Sequence, residues 1–335
     1  MQRVWFPNSM RASVASTNKK WRPSSSVIIA APSSAVPAIT GLDVPDYPVT
    51  DYKVCLVRRA PKSTFMASVS VFPGGAIDPV DKEMATQLCG RCDDEAVAMV
   101  AAAREAFEES GVAIASASFS DLSGAEISEW RAKIRVNPCM LAELYAKFGA
   151  APALSQMHKV CSFITPDMEH KRLKKGGFQT QFYLFCCNDR GTLAHARADK
   201  SETVSLAWLS PRQALTASDM GLIFLAPPQW FILNDMASCT SISELPTLMA
   251  SDNPIRQLVR EYPIKPYAAQ LDPADQGEYE MALVYPVCSS TMFVLSFVPP
   301  QLISRGLLVV RVVGSVGRVT QHILYSLDQH TPGIG

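Results

Sequence analysis

Three glutamates with helical spacing stand at the end of one apolar segment. Glu105, Glu108 and Glu109 follow Arg104, and Gly111 ends the pattern. Residues three or four positions apart are neighbours on a helix, so these carboxylates repel one another by roughly a few tenths of a kcal/mol per pair. A hard divalent cation such as Mg²⁺ removes that repulsion. The alternative is a solvated charged face on which Arg104 pairs with Glu108.

The surrounding pattern predicts how these acids are positioned. Residues 93–95 offer an N-cap and favourable charges for a helix that runs to Ser110 and stops at Gly111. Its predicted buried face consists of Ala96, Met99, Val100, Ala103 and Phe107. A strand at 68–72 runs into Pro73-Gly74-Gly75, and we expect the two glycines to end it and to present backbone carbonyls beside the helix. This glycine loop favours the metal site over the solvated face.

The rest of the chain mixes strands and helices. Strands are predicted at 26–31, 52–57, 178–185 and 203–209. Helices are predicted at 126–136 and 138–148, with Asn137 as the N-cap of the second, and from Pro211, Pro227 and Ile242 onward. We interpret 125–154 as an inserted helical subdomain. Such a mixture predicts an α/β or α+β fold.

Composition limits the classes of function. The 335 residues are 48% hydrophobic, which is enough for a large core. Thirty-one basic and thirty-one acidic residues cancel, so we expect no nucleic-acid partner and only local recognition of phosphate. The pair Cys89 and Cys92 lacks the second half of a zinc site. The most apolar segment, 292–313, is broken by prolines and arginines, so we expect no membrane span.

One set of residues resembles the signature of a known family. Gly75 with Arg104-Glu105-Ala106-Phe107-Glu108-Glu109-Ser110-Gly111-Val112 resembles the nudix box, in which a glycine loop precedes an acidic helix. In the usual box the glycine precedes the arginine by 14 residues, whereas here it does so by 29, an insertion of fifteen. The box also has a glutamate eight residues before the arginine. That position is Ala96, with Glu95 one place away, so the role is unassigned.

The insertion is similar to one in the branch of the nudix family that hydrolyses coenzyme A and its esters to 3′,5′-ADP and a 4′-phosphopantetheine derivative. Further segments resembling that branch are 21–23, 66–78, 178–187, 208–211 and 225–229. The resemblance implies a nudix α/β/α sandwich with a mixed sheet and C-terminal helices. It implies a domain over 21–286, with a loop insertion at 76–92 and the helical insertion at 125–154. Residues 1–20 are then an N-terminal extension and 287–335 a divergent tail.

The resemblance also implies roles for the site residues. Glu105, Glu108 and Glu109, with the backbone carbonyl of Gly75, correspond to the ligands of Mg²⁺ or Mn²⁺. Glu105 is expected to activate or orient the attacking water, and Arg104 to hold the glutamates by charge-assisted hydrogen bonds. A metal polarises phosphoryl oxygens and neutralises the charge that develops in an in-line displacement, so no covalent nucleophile is needed.

Two further candidates lie elsewhere in the chain. Glu202 is a candidate for an additional catalytic acid, with a surface glutamate as the alternative. A compact basic loop contains four candidates for binding the 3′-phosphate of coenzyme A, with a solvated loop as the alternative: Lys171, Arg172, Lys174 and Lys175.

Several alternatives stay open from the sequence. The enzyme could act on another ADP-linked substrate such as NADH or ADP-ribose, or the chain could be a module that binds coenzyme A or a nucleotide without cleaving it. The branch carries a peroxisomal tripeptide of the Ser-Lys-Leu kind, which residues 333–335 do not match. Residues 1–42 have basic and serine residues without acids, a composition similar to a mitochondrial transit segment. Peroxisome, mitochondrion and cytosol are all compatible with these features.

Overall fold

The computed structural model describes residues 20–37, 44–46, 49–63, 66–116, 118–119 and 122–270, and the backbone of 281–288, 291–296, 307–313 and 322–326. Seven strands form the main sheet: β1 (Arg22–Pro32), β2 (Tyr52–Arg59), β3 (Ser70–Val71), β4 (Gly74–Ala76), β5 (His158–Ile164), β6 (Phe178–Cys186) and β7 (Thr203–Leu209). The order is β3-β2-β1-β6-β5, while β4 pairs with β1 and β7 pairs with β2. Because β1 and β6 are parallel and the other pairs are antiparallel, the sheet is mixed.

Helices cover both faces of this sheet. They are α1 (Pro79–Cys89), α2 (Asp94–Ser110), α3 (Gly124–Val136), α4 (Met140–Lys147), α5 (Asp167–Arg172), α6 (Arg190–Ala194), α7 (Pro211–Asp219), α8 (Pro227–Met236), α9 (Leu245–Ala250) and α10 (Pro254–Glu261). Alternate residues of β1 point to opposite faces. Val27 and Ile29 pack in the core that contains α2, while Ile28 and Ala30 pack in the core that contains α8. The α/β/α sandwich expected from the sequence is therefore confirmed.

A second sheet follows the last helix. It contains β8 (Tyr267–Gln270), β9 (Met281–Cys288), β10 (Thr291–Ser296), β11 (Leu307–Val313) and β12 (His322–Ser326), each antiparallel to the next. The predicted domain boundary at 286 lies within β9 and stays a prediction. Of the residues that carry the localisation arguments, 1–42 and 333–335, those at 1–19, 38–42 and 333–335 lie outside the described residues. Among the described residues, no helix is long and apolar enough to cross a membrane.

In two places the segment 73–92 has more regular structure than the sequence suggested. Gly74 and Gly75 do more than end a strand, because they form β4, which pairs with residues 24–26 of β1. The insertion at 76–92 is mainly helical and forms α1. Asp78 caps this helix by accepting from the Val80 N–H, and Pro79 occupies its first turn. Sequence reasoning missed α1 because the segment is strongly charged, with a narrow apolar face.

Two helix starts were also misplaced. Asn137 is the C-cap of α3, where it adopts an extended conformation with φ −139° and ψ 98°. Its side chain accepts from the Cys139 N–H in the turn before α4, at 3.2 Å. The predicted N-cap therefore organises the connection between the two helices, and Met140 begins α4. The helix expected from Ile242 begins at Leu245.

Candidate active site

The acidic helix α2 forms as the sequence predicts. The Asp93 carboxylate accepts from the Ala96 N–H at 3.1 Å and so caps the first turn. Gly111 ends the helix with φ 79°, a left-handed conformation that glycine adopts without steric cost. All five residues of the predicted apolar face are buried. This packing holds the C-terminal half of α2, which carries the glutamates, against β1 and β4.

Arg104 joins the glutamates to the inserted helix α1. Its Nη1 donates to Glu105 at 2.9 Å and to Glu108 at 3.0 Å. Its Nε and Nη2 donate to the two carboxylate oxygens of Asp81 at 2.8 and 3.0 Å. The side chains of Arg104, Glu105 and Glu108 are only 6%, 14% and 13% exposed. The alternative of a solvated charged face is therefore wrong, although its Arg104–Glu108 pair exists.

Asp81 is a site residue that the sequence analysis missed. It lies six positions after Gly75, which is the spacing between the glycine and the extra glutamate of the usual nudix box. The position eight residues before Arg104 is Ala96 instead, because the inserted residues lie between Asp81 and Arg104. Ala96 is in the apolar core and Glu95 is exposed on the first turn of α2. Counting forwards from the glycine would have found the acid.

Burial dominates the electrostatics of the cluster. It raises the pKa of Glu105 to about 7 and that of Glu109 to about 8, and it also raises the pKa of Glu108. Burial alone would lower the pKa of Arg104, but the hydrogen bonds to Asp81 and the charge of Glu105 outweigh it and raise that pKa. The Arg104 guanidinium thus contacts three carboxylates at once. The acids of the cluster together carry more negative charge than this one guanidinium neutralises.

Strand β4 touches two of the three glutamates. The Gly74 N–H donates to Glu109 at 3.0 Å. A Cβ at Gly75 would lie 2.4 Å from the carboxyl carbon of Glu105, so this carboxylate occupies space that only glycine leaves open. The two glycines therefore allow the backbone to approach the acids closely, as predicted for the loop.

The cluster has the donor chemistry for a hard divalent cation, which prefers carboxylate and carbonyl oxygens. Among the residues that the structure describes, no three acidic, histidine or cysteine side chains already converge as a metal site. Arg104 holds Glu105 and Glu108, while Glu109 accepts from Gly74. The excess negative charge of the acids and the close approach of the Gly74 and Gly75 backbone fit a cation at this position.

Glu202 lies beside the cluster, on the exposed turn before β7. Its charge contributes to raising the pKa of all three glutamates of α2. The Asp199 carboxylate stabilises this turn, because it accepts hydrogen bonds from the Thr203 N–H at 2.7 Å and from the Glu202 N–H at 3.1 Å. Burial alone would raise the pKa of Asp199, but hydrogen bonds led by those from Ser201 and Thr203 lower it to about 2.

Arg59 was also missed by sequence reasoning. It lies on β2 opposite Thr203, and its charge acts to lower the pKa of Glu109. Its Nε is buried without a hydrogen-bond partner. A cation at a strand end has no local sequence signature, so only the pairing of β2 with β7 could reveal its position.

The predicted basic loop spans the end of α5 and the turn before β6. Its four candidates are exposed, and Arg172 pairs with Glu169 at 2.8 Å. The loop is anchored by His170, which accepts from the Gly177 N–H and stacks on Trp21 with ring centroids 4.1 Å apart. Along β1, Phe178 pairs with residue 22 and Gly75 with residue 25, a separation of about 10 Å by strand rise. The loop and the glycine strand thus meet the same end of the sheet.

Comparisons with known proteins agree with this fold. The NUDT19 Nudix domain family matches residues 82–236. The acyl-coenzyme A diphosphatase NUDT19 of Gallus gallus is 26% identical over 314 residues, covering 77% of this chain and 80% of the relative. The protein of the same name from Homo sapiens is 23% identical over 283 residues, covering 70% of this chain and 74% of the relative.

A solved structure supports the fold independently. A NUDIX hydrolase from Alicyclobacillus acidocaldarius superposes with a TM-score of 0.53 at 22% sequence identity, covering 69% of this chain and 97% of that one. Nudix hydrolases generally use divalent metal ions, which agrees with the charge balance of the acidic cluster.

Proposed function

This chain belongs to the nudix hydrolases, in their NUDT19 branch, and we propose that it hydrolyses the diphosphate of coenzyme A or an acyl-coenzyme A. The products are 3′,5′-ADP and 4′-phosphopantetheine or its acyl derivative. The observation that carries the proposal is the buried carboxylate cluster of α2, held by Arg104 against the glycine strand β4. The names of the similar chicken and human proteins support the choice of substrate.

The proposed cofactor is Mg²⁺ or Mn²⁺. Glu105, Glu108 and Glu109 would hold it, with the backbone carbonyl of Gly75. A bound ion of this kind polarises the phosphoryl oxygens and neutralises the charge that develops in the transition state. The burial of the carboxylates supports the assignment, because buried acids that share one arginine gain most from a cation.

The protein's own groups then position the reaction. Glu105 is the proposed group that orients the attacking water and accepts its proton, since it lies against Gly75. Arg104 fixes the direction of Glu105 and Glu108 through charge-assisted hydrogen bonds, and Asp81 fixes Arg104. Glu202 is the proposed additional acid. Its charge contributes to raising the pKa of Glu105, which supports this assignment.

The basic loop is proposed to attract the substrate. Lys171, Arg172, Lys174 and Lys175 are exposed at the end of the sheet that also carries Gly75. Since Arg172 already pairs with Glu169, Lys174 and Lys175 are the cations to test. Their proposed role is to bind the 3′-phosphate of coenzyme A.

One assay tests the function. The full chain is incubated with Mg²⁺ or Mn²⁺ and coenzyme A, NADH or ADP-ribose, and products are separated by chromatography. We expect cleavage of coenzyme A, loss of it in Glu108→Gln, and no loss in the control Glu95→Gln, which changes an exposed acid on the same helix. Turnover of NADH or ADP-ribose alone would refute the substrate. Binding of coenzyme A without turnover of any of the three would refute the enzyme.

A further inference from the structure

A polar cleft lies beyond the C-terminal end of α2. It has a volume of about 250 Å³ and lies between α3 and the turn before β7. Four cations and one carboxylate line it, and we name it the arginine cleft: Arg131, Arg135, Arg197, Lys200 and Asp199. In a chain whose formal net charge is zero, this is a local excess of positive charge.

Arg131 is the buried centre of the arginine cleft, with only 4% of the residue exposed. Its Nε donates to the Glu108 carbonyl and its Nη1 to the Arg197 carbonyl, both at 2.9 Å. Its Nη2 is buried without a hydrogen-bond partner. A buried donor left unpaired destabilises the folded state, and more so when it is charged. An anion in the cleft would satisfy this donor.

The neighbouring charges do not satisfy Arg131. Asp199 forms its ion pair with Arg135 at 2.9 Å, and Arg197 donates to the Gly124 carbonyl and to the Ser128 hydroxyl. Arg135 and Arg197 line the same cleft as Arg131, so three guanidinium groups lie close together, with Asp199 as the one carboxylate among them. Arginines that destabilise one another's charge would be stabilised by a ligand of negative charge.

The cleft adjoins the proposed active site through shared groups. Arg131 donates to the Glu108 carbonyl, and Arg135, four residues further along α3, lines the same cleft. The Asp199 carboxylate, in the wall of the cleft, accepts the hydrogen bonds that shape the turn carrying Glu202. A substrate whose diphosphate reaches Glu108 can therefore place another group in the arginine cleft.

We propose that the arginine cleft binds a phosphate monoester, namely the phosphate that the substrate carries apart from its scissile diphosphate. This inference rests on the proposed function. A phosphate monoester has close to two negative charges at neutral pH and three acceptor oxygens, which suits an unpaired guanidinium among three other cations. The basic loop is the competing location for this group, but its lysines are exposed and its arginine is paired.

Calorimetric titration of the full chain without metal tests the proposal. The ligands are 3′,5′-ADP, 5′-AMP and inorganic phosphate. We expect 3′,5′-ADP to bind at least about 10-fold more tightly than 5′-AMP, because only 3′,5′-ADP carries a second phosphate that can accept a charge-assisted hydrogen bond in the cleft. The double variant Arg135→Gln with Lys200→Asn should lose that preference. Asn is chosen because residue 200 has φ 66°, which asparagine tolerates.

Two matched variants separate the cleft from other basic surfaces. Lys133→Gln removes an exposed cation of the same helix that pairs with Glu129, and it should keep the preference. Lys174→Gln with Lys175→Gln removes the competing loop and should keep it as well. Equal affinity of the wild type for both nucleotides, or loss of the preference only in the loop variant, would overturn the proposal.

The remaining outcomes identify the source of the phosphate. Binding of inorganic phosphate that depends on Arg135 and Lys200, without a preference for 3′,5′-ADP, would overturn the substrate role and assign the cleft to free phosphate. A chain that prefers 3′,5′-ADP through the cleft but cleaves no coenzyme A would refute the proposed function alone. The two failures are thus distinguishable.

Discussion

At the scale of single residues, the contact between Asp81 and Arg104 connects the insertion to the acidic helix. The Asp81 carboxylate is fully buried and also accepts from the Asp78 N–H at 2.7 Å. It therefore closes the capping box of α1 and fixes the guanidinium of Arg104 at the same time. Through Arg104 this pair sets the direction of Glu105 and Glu108.

The first prediction concerns this ion pair. Asp81→Asn should lower the free energy of unfolding by about 1.5–3 kcal/mol, because it weakens the buried charge-assisted hydrogen bonds to Nε and Nη2 of Arg104, although Glu105 and Glu108 still pair with Nη1. It should also reduce the rate of diphosphate hydrolysis, since Arg104 no longer holds Glu105 in a single direction. Urea unfolding and steady-state kinetics measure the two effects. Glu83→Gln, an exposed acid on the same helix, is the control, and equal behaviour of the two variants would contradict the prediction.

The second prediction separates the two glycines of β4. A Cβ at Gly74 would lie 2.5 Å from the backbone oxygen of Ser25, which cannot move without disturbing the sheet. A Cβ at Gly75 would meet the flexible end of the Glu105 side chain. Gly74→Ala should therefore lower thermal stability more, whereas Gly75→Ala should fold and lose turnover. Thermal unfolding and the coenzyme A assay test both, and full activity of Gly75→Ala would exclude the close contact with Glu105.

At the scale of elements, the turn between α6 and β7 is organised by one carboxylate. Asp199 accepts from the backbone and hydroxyl of Thr203 at 2.7 and 2.6 Å, and it pairs with Arg135 of α3. The turn thereby joins the helical insertion to the sheet. It also carries Glu202 on one side and contributes to the wall of the arginine cleft on the other.

The third prediction is the pH dependence that this carboxylate causes. The pKa of Asp199 is lowered from 3.8 to about 2 in the folded chain. A lowered folded-state pKa stabilises the fold above the unfolded value, and that stabilisation is lost as pH falls from 3.8 towards 2. Asp199→Asn should thus be less stable than wild type at neutral pH, and the difference should shrink in this acidic range. Urea unfolding at several pH values measures it, and a constant difference would contradict the assignment.

At the scale of the whole molecule, the sheet separates two apolar cores, and the acidic cluster lies at the edge of the one containing α2. Folding forces the glutamates into this partly buried position, where the burial of their charges, together with their mutual repulsion, destabilises the native state. A cation that binds the folded chain and not the unfolded one would remove this cost.

The fourth prediction follows from this coupling. Mg²⁺ or Mn²⁺ should raise the unfolding temperature of the full chain, with a stabilisation of about 2.7 kcal/mol when the free ion is at one hundred times its dissociation constant. Chelation should reverse the shift. Glu108→Gln should reduce it, whereas Glu95→Gln should retain it because that acid is exposed on the first turn of α2. An identical shift in the wild type and in Glu108→Gln would place the ion elsewhere.

The sequence by itself determined the features that depend on neighbours along the chain. The N-cap at Asp93, the apolar face of α2 and the stop at Gly111 were all predicted, since each rests on contacts within a few residues. Strands β6 and β7 were found from their apolar composition for the same reason. Only the resemblance to a known box connected the glycines to the helix.

The tertiary structure decided which distant residues meet. Asp81 reaches Arg104 across 23 positions, and Arg131 reaches Glu108 across another 23. The parallel pairing of β1 with β6 brings the basic loop towards the glycine strand. No periodicity in the chain encodes such contacts, because they arise from burying two faces of one sheet at once. The three glutamates were visible in the sequence, but their burial and the arginine cleft beside them are properties of the folded chain.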